Sequence, residues 1–190
     1  MERQRTQSGA MDGIPSETTG ETSVLRRRLR AAFLVAIGVY AVARVRTPEY
    51  WDPLDDLNLA VHEAGHLVFS AFGETLTILG GSAFQVMVPL AFVAYFVRTK
   101  QRYAAAVTMS WVGVNLLNVA RYIGDARAQN LPLLGGEDSI HDWWYLLINW
   151  DLLPRDTVIA RWVHFFGVVA FLTSLLGGFM PVKSNSRPAG

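Results

Sequence analysis

Three long stretches of this chain carry no charged side chain, and they constrain its fold more than any other feature. Residues 75–97 run for 23 positions without a charge, residues 103–120 for 18, and residues 162–182 for 21 with a single histidine. About 20 apolar residues in a helix cover the hydrocarbon core of a bilayer, so each run is a candidate span. No stretch alternates apolar and polar residues in the way a barrel strand does. In lipid the backbone must satisfy its own hydrogen bonds, which leaves helices. The sequence therefore predicts an all-α, polytopic helical membrane bundle of four to five apolar helices with one candidate re-entrant segment. Its setting would be the lipid bilayer, as an integral protein.

The apolar segments lie near 31–46, 57–73, 75–97, 103–123 and 158–180, and together they predict a single domain over 25–182. Residues 1–24, rich in Ser, Thr, Gly, Gln and Glu, read as a disordered polar tail, and 183–190 as a second polar tail. The first apolar stretch, 31–43, is short. It is flanked by Arg26, Arg27, Arg28 and Arg30 on one side and Arg44 and Arg46 on the other, whose stems can snorkel and extend a span. Ala41-Val42-Ala43 also has the form of a signal-peptide cleavage site. The long polar segment ahead of it favours an uncleaved anchor.

Basic residues set orientation. The clusters at 26–30, at Arg98, Lys100 and Arg102, and at Lys183 and Arg187 are all expected on the cytoplasmic side. The last two are separated by two spans, which agrees. Three candidates separate the first two, so one of these must fail to cross. Residues 57–73 are the expected failure, with Gly73, Gly80 and Gly81 available to break the helix. Residues 143–150, WWYLLINW, are expected to lie on the outer surface and pack over the bundle, since aromatic residues gather at the boundary between membrane and water.

Only 17% of the residues are charged, against about 25% in average soluble domains. With 17 Lys and Arg against 16 Asp and Glu, the net charge is +1, and no nucleic-acid partner is expected. There is no cysteine, so a metal could be held only by His, Asp or Glu.

Such residues stand within 57–73, as His62-Glu63-Ala64-Gly65-His66. In an H-E-x-x-H helix the two imidazoles lie on one face, one turn apart, and can share an ion. Glu63 then stands beside the ion, where it can take a proton from an attacking water. An ionisable trio in an apolar helix marks function by default. The bland alternative is a polar cluster that only joins helices. A catalytic zinc has three protein ligands and an open position, and two residues qualify as the third. Asp125 ends a polar stripe of Asn115, Asn118 and Tyr122 at helical spacing. His141 is one of only four histidines, and the adjacent Asp142 could orient its ring. Their bland readings are an interfacial salt bridge for Asp125, with Arg121 or Arg127, and a solvated loop position for His141.

Other polar residues carry less weight. His164 reads as a satisfied core histidine, and Glu74 as an outsider beyond reach of the ion. Gln85 and Pro89 are candidates for a cavity wall, and Asn115 and Asn118 for the lining of a water path. Asp52, Asp55 and Asp56 read as a solvated acidic helix start, with Asp55 or Asp56 able to cap it.

An H-E-A-G-H sequence inside an apolar helix resembles the zinc-binding helix of site-2-protease-type membrane metalloproteases. Gly80-Gly81 is similar in position to the looping segment that follows the motif in that family. The resemblance implies a third ligand from an Asp on a later membrane helix, and Ile123-Gly124-Asp125 stands in a comparable place. The Asn-Pro element and trailing Gly of the family pattern are absent. The chain also resembles small bacterial membrane proteins that carry an H-E-A-G-H helix and a Gly-Gly…His-Asp-Trp loop.

The expectation is therefore a zinc metallopeptidase in the bacterial plasma membrane. Zn²⁺ would be held by His62, His66 and either Asp125 or His141, and Glu63 would be the general base. The substrate would be a membrane protein or peptide cut within or near the bilayer. Two alternatives stay open: a zinc-dependent hydrolase of a lipid amide or ester, and a metal-binding or structural membrane protein without catalysis.

Overall fold

The computed structural model describes residues 17–47, 49–132 and 140–180 of the chain. Among these residues it is all-helical, with no strand. Six α-helices follow one another: α1 (Glu17–Arg46), α2 (Pro53–Phe69), α3 (Glu74–Arg98), α4 (Arg102–Gly124), α5 (Asp142–Asn149) and α6 (Asp156–Phe179), with short 3-10 turns at Ser70–Phe72 and Leu153–Arg155. Among the described residues, those up to Phe33 form one compact unit and those from Leu34 onward a second. Helix α1 begins at Glu17, inside the segment expected to lack structure. Extending a formed helix adds a hydrogen bond per residue without a new nucleus, so polar residues can prolong it. Residues 1–16 and 181–190, where both polar tails were otherwise expected, lie outside the described residues.

Among the described residues, three helical segments are long and apolar enough to cross a membrane: Glu74–Arg98, Arg102–Gly124 and Leu153–Phe179. This is fewer than the four to five expected. Helix α2 has only 17 residues, and in α1 the apolar stretch is short and bounded by arginines, Arg30 before it and Arg44 after it. The side-chain distribution suits a lipid solvent. Met87, Phe92, Trp162, Phe165 and Leu172 are exposed, whereas Asn58, Ser82, Gln85, Asn115 and Ser174 are buried. Without a hydrophobic drive between helices in lipid, small and polar residues make the interfaces.

Glycines set the close approaches. Helices α4 and α6 pack antiparallel, with Gly124 against Ala160, Leu117 against Gly167, Gly113 against Phe171 and Ala106 against Gly177. Helices α2 and α3 form a hairpin, turned at Gly73, whose φ of 91° is left-handed and suits glycine. Gly80 and Gly81 do not break the chain as expected, because α3 runs through them without interruption. Their missing side chains instead let α2 lie against α3. A Cβ on Gly65 would collide with the Gly80 carbonyl, and one on Gly80 would lie 2.7 Å from Phe69.

Helix α5 covers the hairpin and α4. Trp143, Leu146 and Leu147 are buried there with Val119 and Ile123, and Ile78, Leu79 and Val86 pack against them. At the same end, Asp52 caps α2 and forms a capping box with Asp55. Asp55 is not the solvated residue expected from sequence. It is 1% exposed and makes a two-pronged ion pair with Arg44, at 2.7 and 2.8 Å. Asn118 donates to the same carboxylate at 2.7 Å, tying α1, α2 and α4 together.

Candidate metal centre

Helical spacing puts His62 and His66 on the face of α2 that meets α3 and α5. Their ring centroids lie 4.9 Å apart. With Glu63 they form a group whose ligand atoms all lie within 4.8 Å of one another. Gly81 of α3 is the floor beneath the two rings. A Cβ there would stand 2.6 Å from His62 Nε2 and 2.7 Å from His66 Nε2.

Each ring is held from behind. His66 Nδ1 lies 2.9 Å from the Thr77 carbonyl oxygen. A carbonyl only accepts, so His66 Nδ1 carries a proton and donates it. Gln85 Oε1 takes the corresponding place on His62 Nδ1, at 3.2 Å. Both Nε2 atoms then face the same oxygen of Asp142, at 2.9 Å from His62 and 3.3 Å from His66. Two lone pairs facing a carboxylate would repel it. The arrangement holds together only with positive charge between the groups, supplied by ring protons or by one cation. The hydrogen bond to Asp142 outweighs burial and pushes the His66 imidazole up to about 9. Burial opposes charge on Asp142, but the hydrogen bonds from His62 and His66 hold its carboxyl below the usual range.

This donor set fits a divalent ion. Four-coordinate zinc with bonds near 2.0–2.1 Å places neighbouring donors roughly 3.3 Å apart. The two nitrogen-to-oxygen separations, 2.9 and 3.3 Å, lie near that spacing, and carbonyl groups behind the rings are the usual support of metal-binding histidines.

The two residues considered as third ligand lie outside the group of His62, Glu63 and His66. His141 is the N-cap of α5, and its Nδ1 accepts from the Trp144 N–H at 3.3 Å. Its Nε2 points to Asp125, 3.4 Å away, and burial lowers its pKa against the pull of that carboxylate. Asp125 closes the end of α4, accepting from the N–H groups of Asn130 and Leu131, both at 3.0 Å. The Tyr122 ring touches both histidine sites, 5.8 Å from the His62 ring and 4.2 Å from His141. Its hydroxyl accepts from the Asp142 N–H at 3.1 Å. Sequence reasoning saw Asp142 only as a partner for His141. Once His141 is fixed as a cap, the next residue is turned about 100° round the helix and reaches the imidazoles.

A cavity of about 760 Å³ opens onto the site, lined among others by Trp51, Leu59, Glu63, Asn118, Tyr122 and Leu131. Glu63 is exposed to it. Asn118 lines this cavity as expected, but Asn115 is fully buried and bonded to the Trp111 carbonyl. Gln85 lines it too, while Pro89 is buried inside α3. Glu74 is the exposed first residue of α3, and His164 borders a separate pocket. Residues 133–139, which contain the glycine pair before His141, lie outside the described residues.

Compared with known proteins, the chain matches no protein-family model, no curated protein and no solved structure.

Proposed function

We propose that this protein is a membrane-embedded zinc hydrolase that cuts peptide bonds within or near the bilayer. His62, His66 and Asp142 would hold the ion, and Glu63 would move the protons. The observation that carries the reading is the convergence of two backed imidazoles on one Asp142 oxygen, at the floor of a cleft large enough for an extended chain. The H-E-x-x-H order and its resemblance to site-2-type proteases supply the reaction class. By the same likeness the location would be a bacterial plasma membrane.

A divalent ion held there would supply Lewis acidity toward a scissile carbonyl and toward an attacking water. Glu63 follows the first histidine and faces the cavity, so its carboxylate can take the proton of that water. The same carboxyl can then deliver the proton to the leaving nitrogen. Gln85 and Thr77 hold the rings so that Nε2, not Nδ1, faces the cleft. Tyr122 holds the Asp142 backbone in register. Asn118, on the cavity wall, offers polar side-chain atoms along the path of water.

The test is purification of the full chain in mild detergent after growth with zinc, followed by metal analysis and assay against detergent-solubilised transmembrane peptides. Expected are about one zinc per chain, its loss in His62→Ala and Asp142→Asn, and retention of zinc without turnover in Glu63→Gln. Zinc retained in Asp142→Asn, or full turnover in Glu63→Gln, overturns the reading.

A further inference from the structure

The bundle has a second pocket, of about 180 Å³, between α4 and α6. It is lined by Arg44, Asn118, Arg121, Arg161 and His164 among a few apolar residues, and by no carboxylate. Arg44 is already neutralised by Asp55. Arg127, at the same end of the bundle, is likewise matched by Asp156, at 2.7 Å. Arg121 and Arg161 have no acidic partner among the described residues. The antiparallel packing of α4 on α6 brings these two side chains to one opening, because Gly124 meets Ala160 one turn further on.

Two uncompensated guanidinium groups at one opening repel each other, and the low dielectric of a bilayer boundary strengthens that repulsion. An anion removes the penalty. The depth of the pocket indicates which anion. Tyr50, Trp51, Trp150 and Trp162 are all exposed, and they lie at the end of the bundle where α4 finishes and α6 begins. An aromatic girdle of this kind sits at headgroup level, where phosphates are concentrated. Planar guanidinium forks match phosphate oxygens in pairs, and a half-buried imidazole adds a third donor.

We infer that this pocket is a phosphate-binding site, with Arg121 and Arg161 supplying the charge and His164 a further hydrogen bond. The site stands independently of the metal reading, since none of its residues touches the His62–His66 pair. Asn118 and Arg121 line both cavities, so a bound phosphate would rest against the wall of the larger cleft.

The test uses the full chain in a neutral maltoside detergent, titrated separately with short-chain phosphatidylglycerol and with inorganic phosphate, and read by calorimetry. Expected is saturable binding that Arg161→Gln and Arg121→Gln each weaken by roughly tenfold or more, the loss of one charge-assisted hydrogen bond. Arg161→Lys should weaken it less, and Arg155→Gln, at an arginine outside the pocket, not at all. Binding of the lipid that inorganic phosphate fails to reproduce assigns the site to a headgroup. Saturation by inorganic phosphate alone assigns it to the free anion. Arg161 is exposed and its substitution should leave helicity by circular dichroism unchanged, so that variant decides if Arg121→Gln does not fold. Absence of saturation by either ligand, or equal binding by wild type and Arg161→Gln, overturns the inference.

Discussion

Gly81 lies so close to His62 that a methyl group on its Cα would stand 2.6 Å from the Nε2 atom. The same methyl would stand 2.7 Å from His66 Nε2, so one hydrogen atom on α3 is the only space-filler the two imidazoles tolerate. Gly81→Ala is therefore expected to push both rings off Asp142. Overpacking of this kind costs about 1–3 kcal/mol. Zinc content after purification, measured beside the melting temperature, checks it: zinc should be lost well before the fold is.

Asp142 and Asp125 should separate cleanly. Asp142→Asn keeps the side-chain shape and removes the charge that both histidines face, so zinc retention should fall by at least about tenfold. Asp125→Asn touches only the turn after α4 and its neighbour His141, and should keep zinc while lowering stability modestly. Metal analysis of the two purified variants in parallel reads the difference. Equal zinc loss in both would put the third ligand in question.

Tyr122→Phe removes the hydroxyl that accepts from the Asp142 N–H and leaves the ring between the two histidine sites. One buried N–H is then left unpaired, at a cost of about 1–3 kcal/mol. The expected outcome is a folded protein that loses zinc to a chelator faster than wild type, followed by stopped-flow with a zinc-sensitive dye.

The Arg44–Asp55 pair predicts a non-additive stability effect. Arg44→Met strands a carboxylate that is 1% exposed, and breaking a buried pair in this way costs about 3–5 kcal/mol. Replacing both, as Arg44→Met with Asp55→Leu, should recover much of the loss. Thermal unfolding of the three variants in detergent gives the comparison, and additive losses would show that the two groups do not act as a pair.

The linear order of residues was enough to show an all-helical chain with three helices long and apolar enough to cross a membrane. Charge-free runs at 75–97, 103–120 and 162–182 can meet the bilayer's demand for internal hydrogen bonding in only one way, and α3, α4 and α6 follow them closely. The association of His62, Glu63 and His66 was equally legible, because it depends on nothing beyond the pitch of one helix. Three matters were decided by packing. Gly80 and Gly81 read as helix breakers, but against α2 their lack of a side chain became a means of close approach. Asp55 read as solvated until Arg44, eleven residues earlier, was brought against it. Asp142 lies 80 residues from His62 in the chain, and no local pattern sets the distance between them. The capping of α5 by His141 and the seating of α5 on α3 and α4 turned Asp142, rather than its neighbour, toward the imidazoles. Periodicity reports only which residues share a face of their own helix. Which faces meet depends on how small residues, caps and buried charges fit together in three dimensions.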